Sequence, residues 1–352
     1  MKKHSSCLII FLLLLSAINS GAQTTFMDSV SHASTHHTPL DILSGDGHDT
    51  IVCYKQAHRN IYLLVTALIV IIAIVAIKLL MLNRKTTQML KHKNEVIEEK
   101  NKSITDSINY AKRLQTAILP PRDMVRSILA EHFLLYQPKD IVSGDFYWVS
   151  DHDHKFMVAA IDCTGHGVPG ALLSIVGYNA IAQTVNEMNI LKPDEVLISM
   201  NRIIKKILHQ DRNSDIRDGM DMALCTFDRK TSMLEYSGAN NPIYILSDGK
   251  MSIVKASKLT IGSIQEEVHY LPEHHSIQLK RGDCFYIFSD GYADQFGGRD
   301  NKKFKTSRMQ ELLLSINHKP MPEQETLIHE AFVDWKGINE QVDDILVIGV
   351  RV

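Results

Sequence analysis

Paired cysteines are missing from this sequence. Its five cysteines stand at 7, 53, 163, 225 and 284, and no two form a CxxC pair. That spacing excludes a zinc ribbon or a disulfide framework as the source of stability. Cys163, Cys225 and Cys284 fall in or beside apolar runs and read as reduced core residues. An excess of one charge is missing too. The formal net charge of −2 gives no general attraction to nucleic acid, so no nucleic-acid partner is expected. No stretch resembles a nucleotide-binding loop. What is plentiful is apolar residues, 45% of 352, enough for one large or two small domains.

Two apolar runs stand apart. Lys2 and Lys3 precede Leu8–Leu15, and small residues follow to Gly21-Ala22-Gln23, the order of a secretory signal peptide over 1–23. An uncleaved anchor is the alternative. The second run, 61–82, has the length of one transmembrane helix and a single charge, Lys78. Arg84, Lys85, Lys91 and Lys93 follow, with no acid before Glu95. The positive-inside rule then puts the C-terminal side in the cytoplasm, as a single-pass protein of the cytoplasmic (inner) membrane. Residues 24–60 read as a short, polar, disordered extracytoplasmic spacer. Its histidines, His32, His36, His37 and His48, are the alternative there, as a metal site.

Residues 83–121 read as a helical coiled-coil linker. Leu90, Ile97, Ile104, Ala111 and Ile118 recur every seven residues, with Asn94, Asn101, Ile108 and Gln115 between them. Polar residues in such a seam favour a defined register, and the pattern suggests a parallel homodimer. A single amphipathic helix is the other reading. Pro120-Pro121 ends it.

Residues 122–352 form the expected cytoplasmic domain. Strands are expected at 132–137, 143–149, 155–162, 222–228, 233–238, 242–247, 251–256, 275–279, 283–289 and 343–351. Helices are expected at 167–187, 193–210, 305–316 and 323–335. The strands come in runs, which argues an α+β fold with helices packed on antiparallel sheets.

The chemistry sits at strand edges. Asp162 follows the run Ala159-Ala160-Ile161 and precedes Thr164-Gly165-His166-Gly167. Asp145 follows Gly144 at the start of an aromatic run, Asp290 precedes Gly291, and Asp343 and Asp344 precede a buried-looking strand. Taken singly, each is a turn residue. Together they make a group of like charges that repel one another unless cations bind, and oxygen ligands select Mg²⁺ or Mn²⁺.

In this order, SGDFYW, DCTGHG, SDGYADQFGG and QVDDILVIGV closely resemble the SpoIIE-like branch of the metal-dependent (PPM-type) protein serine/threonine phosphatases, over about residues 120–352. The resemblance implies a two-sheet antiparallel sandwich flanked by helices and a centre of two Mn²⁺ or Mg²⁺ ions. It implies that Asp162 bridges the ions and that the Cys163 carbonyl, Asp290 and Asp343 complete one of them. Asp145 holds the other, and Asp344 is a supporting group or a substitute ligand. Asp221 and Asn240 match further family segments. Ser143 stands where the family commonly has Gly. No arginine matches the phosphate-gripping one of eukaryotic-type relatives, and Lys139 is a stand-in for it. Metal-activated water would attack phosphorus in line. His166 either protonates the leaving oxygen or only shapes its loop.

The resulting expectation is a membrane-anchored phosphatase acting on phosphoserine or phosphothreonine of a signalling protein, such as an anti-sigma-factor antagonist. The alternatives are a phosphatase-like scaffold without activity and a nucleotidyl cyclase. Intact acids argue against the first, and the lack of a nucleotide-binding loop against the second.

Overall fold

A computed structural model describes residues 46–209, 218–262 and 271–352. The expected signal peptide, residues 24–45 of the expected spacer with His32, His36 and His37, and the side chain of His48 lie outside the described residues. The chain divides into two units, residues 1–96 and 97–352.

Helix α1 runs over Asp46–Ile118. Its apolar stretch reaches a mean hydropathy of 3.0, is long enough to cross a membrane, and has none of its surface buried. The expected disordered spacer is corrected here, because residues 46–60 are helical. A long apolar helix, once nucleated, extends cheaply through neighbours such as Lys55, Gln56 and Ala57, which favour helix.

In the second unit, α1 is followed by a short helix α2 (Arg122–Ile128) that the sequence reading did not include. Among the described residues, twelve strands follow, interleaved with helices. One sheet has the order β1-β12-β9-β6-β7, from β1 (Glu131–Gln137), β12 (Ile345–Arg351), β9 (Cys284–Phe288), β6 (Ile243–Ser247) and β7 (Lys250–Val254). The other has the order β2-β3-β4-β5-β8, from β2 (Phe146–His152), β3 (Lys155–Cys163), β4 (Met220–Asp228), β5 (Met233–Ala239) and β8 (His275–Gln278). Every pairing in both is antiparallel. A two-stranded ribbon, β10 (Phe296–Gly297) with β11 (Lys302–Lys303), adds a small flap.

The sheets bury their apolar faces on each other and on helices. β3 is an inner strand, paired on both sides and nearly all buried, which suits its unbroken run Phe156-Met157-Val158-Ala159-Ala160-Ile161. Helix α3 (Gly167–Ala182) continues through a π-turn at Gln183–Glu187. Helix α4 (Pro193–Ile207) buries Val196, Leu197, Met200 and Ile204. Its ends suit the helix dipole, with Pro193, Asp194 and Glu195 first and Lys205 and Lys206 last. Helices α6 (Thr306–Ile316) and α7 (Met321–Lys336), reached through the single turn α5 (Gly291–Asp294), pack Leu313 and Phe332 into a second cluster with Phe133 and Tyr286 of the other sheet. The expected α+β sandwich is the fold observed.

Candidate metal centre

Register brings the acids to one end of the sandwich. Phe146 pairs with Ile161, so Asp145 and Asp162 leave neighbouring strands on the same side. Asp162 pairs across the ladder with Asp221. In the other sheet, Phe288 pairs with Val347, which sets Asp290, just past β9, beside Asp343 and Asp344, just before β12.

Their ionisation records the crowding. Burial, then the Asp290, Asp343 and Asp221 carboxylates, push Asp162 up to about 8. Burial, then Asp294 and Asp343, push Asp290 up to about 6. Asp145 is held well above the usual carboxylate range, first by burial and then by Asp162. Its Oδ2 is buried and has no hydrogen-bond partner. An unpaired carboxylate oxygen in such a place is costly without a counter-charge.

Among the described residues, no three Asp, Glu, His or Cys side chains are already gathered tightly enough to hold an ion. Closing a cage around a cation therefore takes side-chain movement. The donor set is nonetheless all oxygen and mutually repelling, and the orphaned oxygen belongs to Asp145, whose carboxyl burial and the Asp162, Asp344 and Asp343 charges push up. That chemistry fits a hard divalent ion.

Asp344 has a different position from the others. It is 2% exposed, its Oδ1 accepts from the Lys139 amide at 2.7 Å, and its Oδ2 accepts from the Gly144 amide at 2.7 Å. Burial raises its pKa while those two amides work against the rise. Asp344 thus anchors the loop that delivers Asp145. Asp343 accepts the Asp344 amide at 2.8 Å with Oδ1. Asp221 is held by Asn240 Nδ2 at 2.9 Å and by the Thr260 hydroxyl at 2.9 Å.

The glycines explain how bare loops fit together. A Cβ on Gly144 or on Gly170 would collide with the Gly165 carbonyl oxygen. A Cβ on Gly144 would also stand 3.3 Å from the Cys163 carbonyl, the oxygen expected as a ligand. Thr164 locks the far side: its amide and hydroxyl both donate to the Gly219 carbonyl, at 2.9 and 3.0 Å. The Cys163 thiol itself is buried, and burial pushes it up. His166 is half-exposed at the start of α3, with Nδ1 2.6 Å from Asp140 Oδ2.

Several residues here were not singled out from sequence. Gln115, placed in the coiled-coil seam, is instead 4% exposed and hydrogen-bonded to Ser143 and Ser174. Asp140 had no signal beyond its place between Lys139 and the SGDFYW run. Ser289 offsets part of the rise at Asp145, and only its position next to Asp290 pointed to it.

Residues 152–352 match the family model described as Stage II sporulation protein E (SpoIIE). The SiaA-PP2C domain of Pseudomonas aeruginosa is 30% identical, with a TM-score of 0.65 over 72% of this chain and 98% of that one. The PP2C phosphatase domain of SpoIIE from Bacillus subtilis, with a fragment of its regulatory domain, is 22% identical, with a TM-score of 0.51 over 63% of each chain. The RsbU and RsbW domains of a Mycobacterium tuberculosis protein are 17% identical, with a TM-score of 0.52 over 64% of this chain and 60% of that one. The latter two share the fold. Among curated proteins, a putative B3 domain-containing protein of Arabidopsis thaliana is 30% identical over 96 residues, 26% of this chain. The chain spans about half of that relative, 49% of its length.

Proposed function

The chain belongs to the SpoIIE family and carries a PPM-type phosphatase domain, and from that premise we propose that it is a Mn²⁺- or Mg²⁺-dependent phosphatase of phosphoserine and phosphothreonine in proteins. The observation that carries the reading is the convergence of Asp145, Asp162, Asp290 and Asp343, with Asp162 pushed up to about 8 and Asp145 Oδ2 unpaired. Asp162 would bridge two ions. Asp290, Asp343 and the Cys163 carbonyl would complete one, and Asp145 would hold the other. Bound there, the ions would supply an activated water and offset charge on the phosphoryl oxygens. The chain's own contribution is placement. Asp344 and Gln115 hold the loop carrying Asp145, and the Gly144, Gly165 and Gly170 contact sets the height of the DCTGHG loop.

The rest of the architecture supports a signalling role. The apolar part of α1 would anchor the protein in a membrane, and Arg84, Lys85, Lys91 and Lys93 favour the cytoplasmic side for the phosphatase domain. The exposed seam of Leu90, Ile97 and Ile104 would pair two copies in parallel. The substrate would be a small phosphorylated signalling protein, such as an anti-sigma-factor antagonist.

The test is phosphate release from a phosphoserine protein by the detergent-solubilised full chain, with Mn²⁺, with Mg²⁺ and with chelator. Metal-dependent turnover lost in Asp290→Asn supports the proposal. A folded chain with no turnover under any metal turns the reading to a scaffold.

A further inference from the structure

A cavity of about 750 Å³ opens at the end of the sandwich away from the acids. Its walls are α2, the start of β1, the turn before α7 and Arg351. Strand β12 begins at the acids, just after Asp344, and ends at the cavity with Arg351. Its seven residues, at about 3.3 Å each, separate the two ends by roughly 20 Å. The cavity is therefore distinct from the candidate metal centre. Its volume lies in the range of small-molecule sites.

The cations around it differ in their engagement. Arg351 is held by the protein itself. Its Nη2 donates to the Asn317 and Lys319 carbonyls at 2.6 and 2.8 Å, and its Nη1 lies 3.4 Å from Glu131 Oε2. It fixes one wall and answers the charge of Glu131. Arg122 and Arg126 are different. They stand four residues apart on α2, which puts them on one face of the helix. Among the described residues, no carboxylate pairs with Arg122. Arg126 has Asp123 at 3.8 Å, a weak pair because both side chains are exposed.

Acceptors line the same cavity. His132 Nδ1 donates to the Leu129 carbonyl at 2.6 Å, so its Nε2 carries a lone pair. Burial holds this imidazole below its ordinary range. Glu325 opposes that shift and Arg126 and Arg122 add to it, so all three charges act at His132. Val125, Pro320 and Pro322 supply apolar wall.

We propose that this cavity binds a small organic phosphate, held by the Arg122 and Arg126 guanidiniums at its phosphoryl group and by His132 Nε2 and the Glu325 carboxylate at its hydroxyl or amino groups. A phosphate monoester carries nearly two negative charges and three terminal oxygens, enough to accept from two guanidinium forks. A carboxylate has two oxygens and is filled by one fork. The site does not depend on the phosphatase reading.

The experiment is calorimetric titration of the full chain in detergent, stripped of metal with chelator and then desalted. Without ions the acid cluster repels anions, so it does not compete. The probes are AMP, ribose phosphate, inorganic phosphate and adenosine. Saturable binding is expected for at least one of the two esters, weaker binding for inorganic phosphate, and none for adenosine. Arg122→Gln and Arg126→Gln should each weaken the ester at least about tenfold, the scale of one charge-assisted hydrogen bond, and the double variant should abolish binding. His132→Phe should weaken the ester and leave inorganic phosphate unchanged. Asp290→Asn, at the other end of the sandwich, should leave both unchanged.

No binding of either ester by the folded wild type would overturn the proposal. So would undiminished binding in the double arginine variant, adenosine binding as tightly as AMP, or loss of ester binding in Asp290→Asn, which would place the ligand at the acids. Thermal unfolding without ligand checks the fold of each variant, and the two single arginine variants decide the point if the double variant does not fold.

Discussion

The carboxamide of Gln115 reads both backbone groups of Ser143: Nε2 donates to the carbonyl at 2.6 Å, and Oε1 accepts from the amide at 3.1 Å. The same Nε2 donates to Ser174 Oγ of α3 at 2.8 Å. One side chain near the end of α1 thus holds the segment before Asp145 and the helix after the DCTGHG loop. Ser143 passes the restraint on, since its hydroxyl accepts the Asp145 amide at 3.0 Å.

Replacing Gln115 by Leu strands a buried N–H and a buried C=O. Each unpaired group costs on the order of 1–3 kcal/mol. Gln115→Leu is therefore expected to lower the unfolding temperature and to weaken Mn²⁺ binding, read by calorimetry. Unchanged metal affinity in a destabilised variant would confine Gln115 to a packing role.

The raised carboxyls predict an inverted pH response in the metal-free protein. Asp162 sits at about 8 and Asp290 at about 6, both above their unfolded value near 4. Across that window the folded state binds more protons than the unfolded state, so stability falls as pH rises and levels off above about 8. Thermal unfolding of the chelated chain should drop between about pH 5 and pH 8. Asp162→Asn should flatten that drop and exceed the wild type in stability at the alkaline end. Stability that rises over the same range would contradict the crowding of these acids.

The glycine contact predicts a sharp steric limit. Gly170→Ala drives a methyl group into the Gly165 carbonyl and stands 2.8 Å from the Gly144 Cα, so backbone has to move. Phosphate release should fall at least about tenfold, since small misplacements of reacting groups are costly. Gly249→Ala is the control for a lost glycine: nothing lies within 4 Å of its Cβ, although its φ of +72° carries some strain. It should cost stability without changing metal dependence.

Along α1, Leu90, Ile97 and Ile104 are 57%, 53% and 58% exposed. Gln115, a later member of the same pattern, is turned into its own domain. A paired seam therefore stops short of Gln115. The double variant Ile97→Lys with Ile104→Lys should convert a dimer to a monomer in sedimentation of the detergent-solubilised chain. A monomeric wild type would refute the pairing.

The strands and helices with strong patterns were legible because their burial is regular. β3, β9 and β12 read as apolar runs, and α4 reads from its apolar spacing and its Pro-Asp-Glu start. The strand expected at 143–149 begins only at Phe146, and the reason is specific. Ser143, Gly144 and Asp145 give their amides to Gln115, Asp344 and the Ser143 hydroxyl in place of a ladder. The acids were legible as strand-edge residues, and their separate jobs were implied by the family resemblance alone. Asp343 and Asp344 are adjacent and alike in sequence, and only the fold shows that Asp344 is tied to two amides. Helix α2 is too short for a periodic signal. The contacts of Lys139 and Asp140 with His166 join residues 27 and 26 positions apart, and tertiary packing makes them.

Calorimetric titration of the full chain with Mn²⁺ asks whether Asp145, Asp162, Asp290 and Asp343 together bind divalent cations. Saturable binding is expected in the wild type, with protons released at neutral pH as Asp162 ionises, and both signals should be lost in Asp162→Asn. Binding of equal strength in wild type and Asp162→Asn, with no proton release, would contradict that assignment.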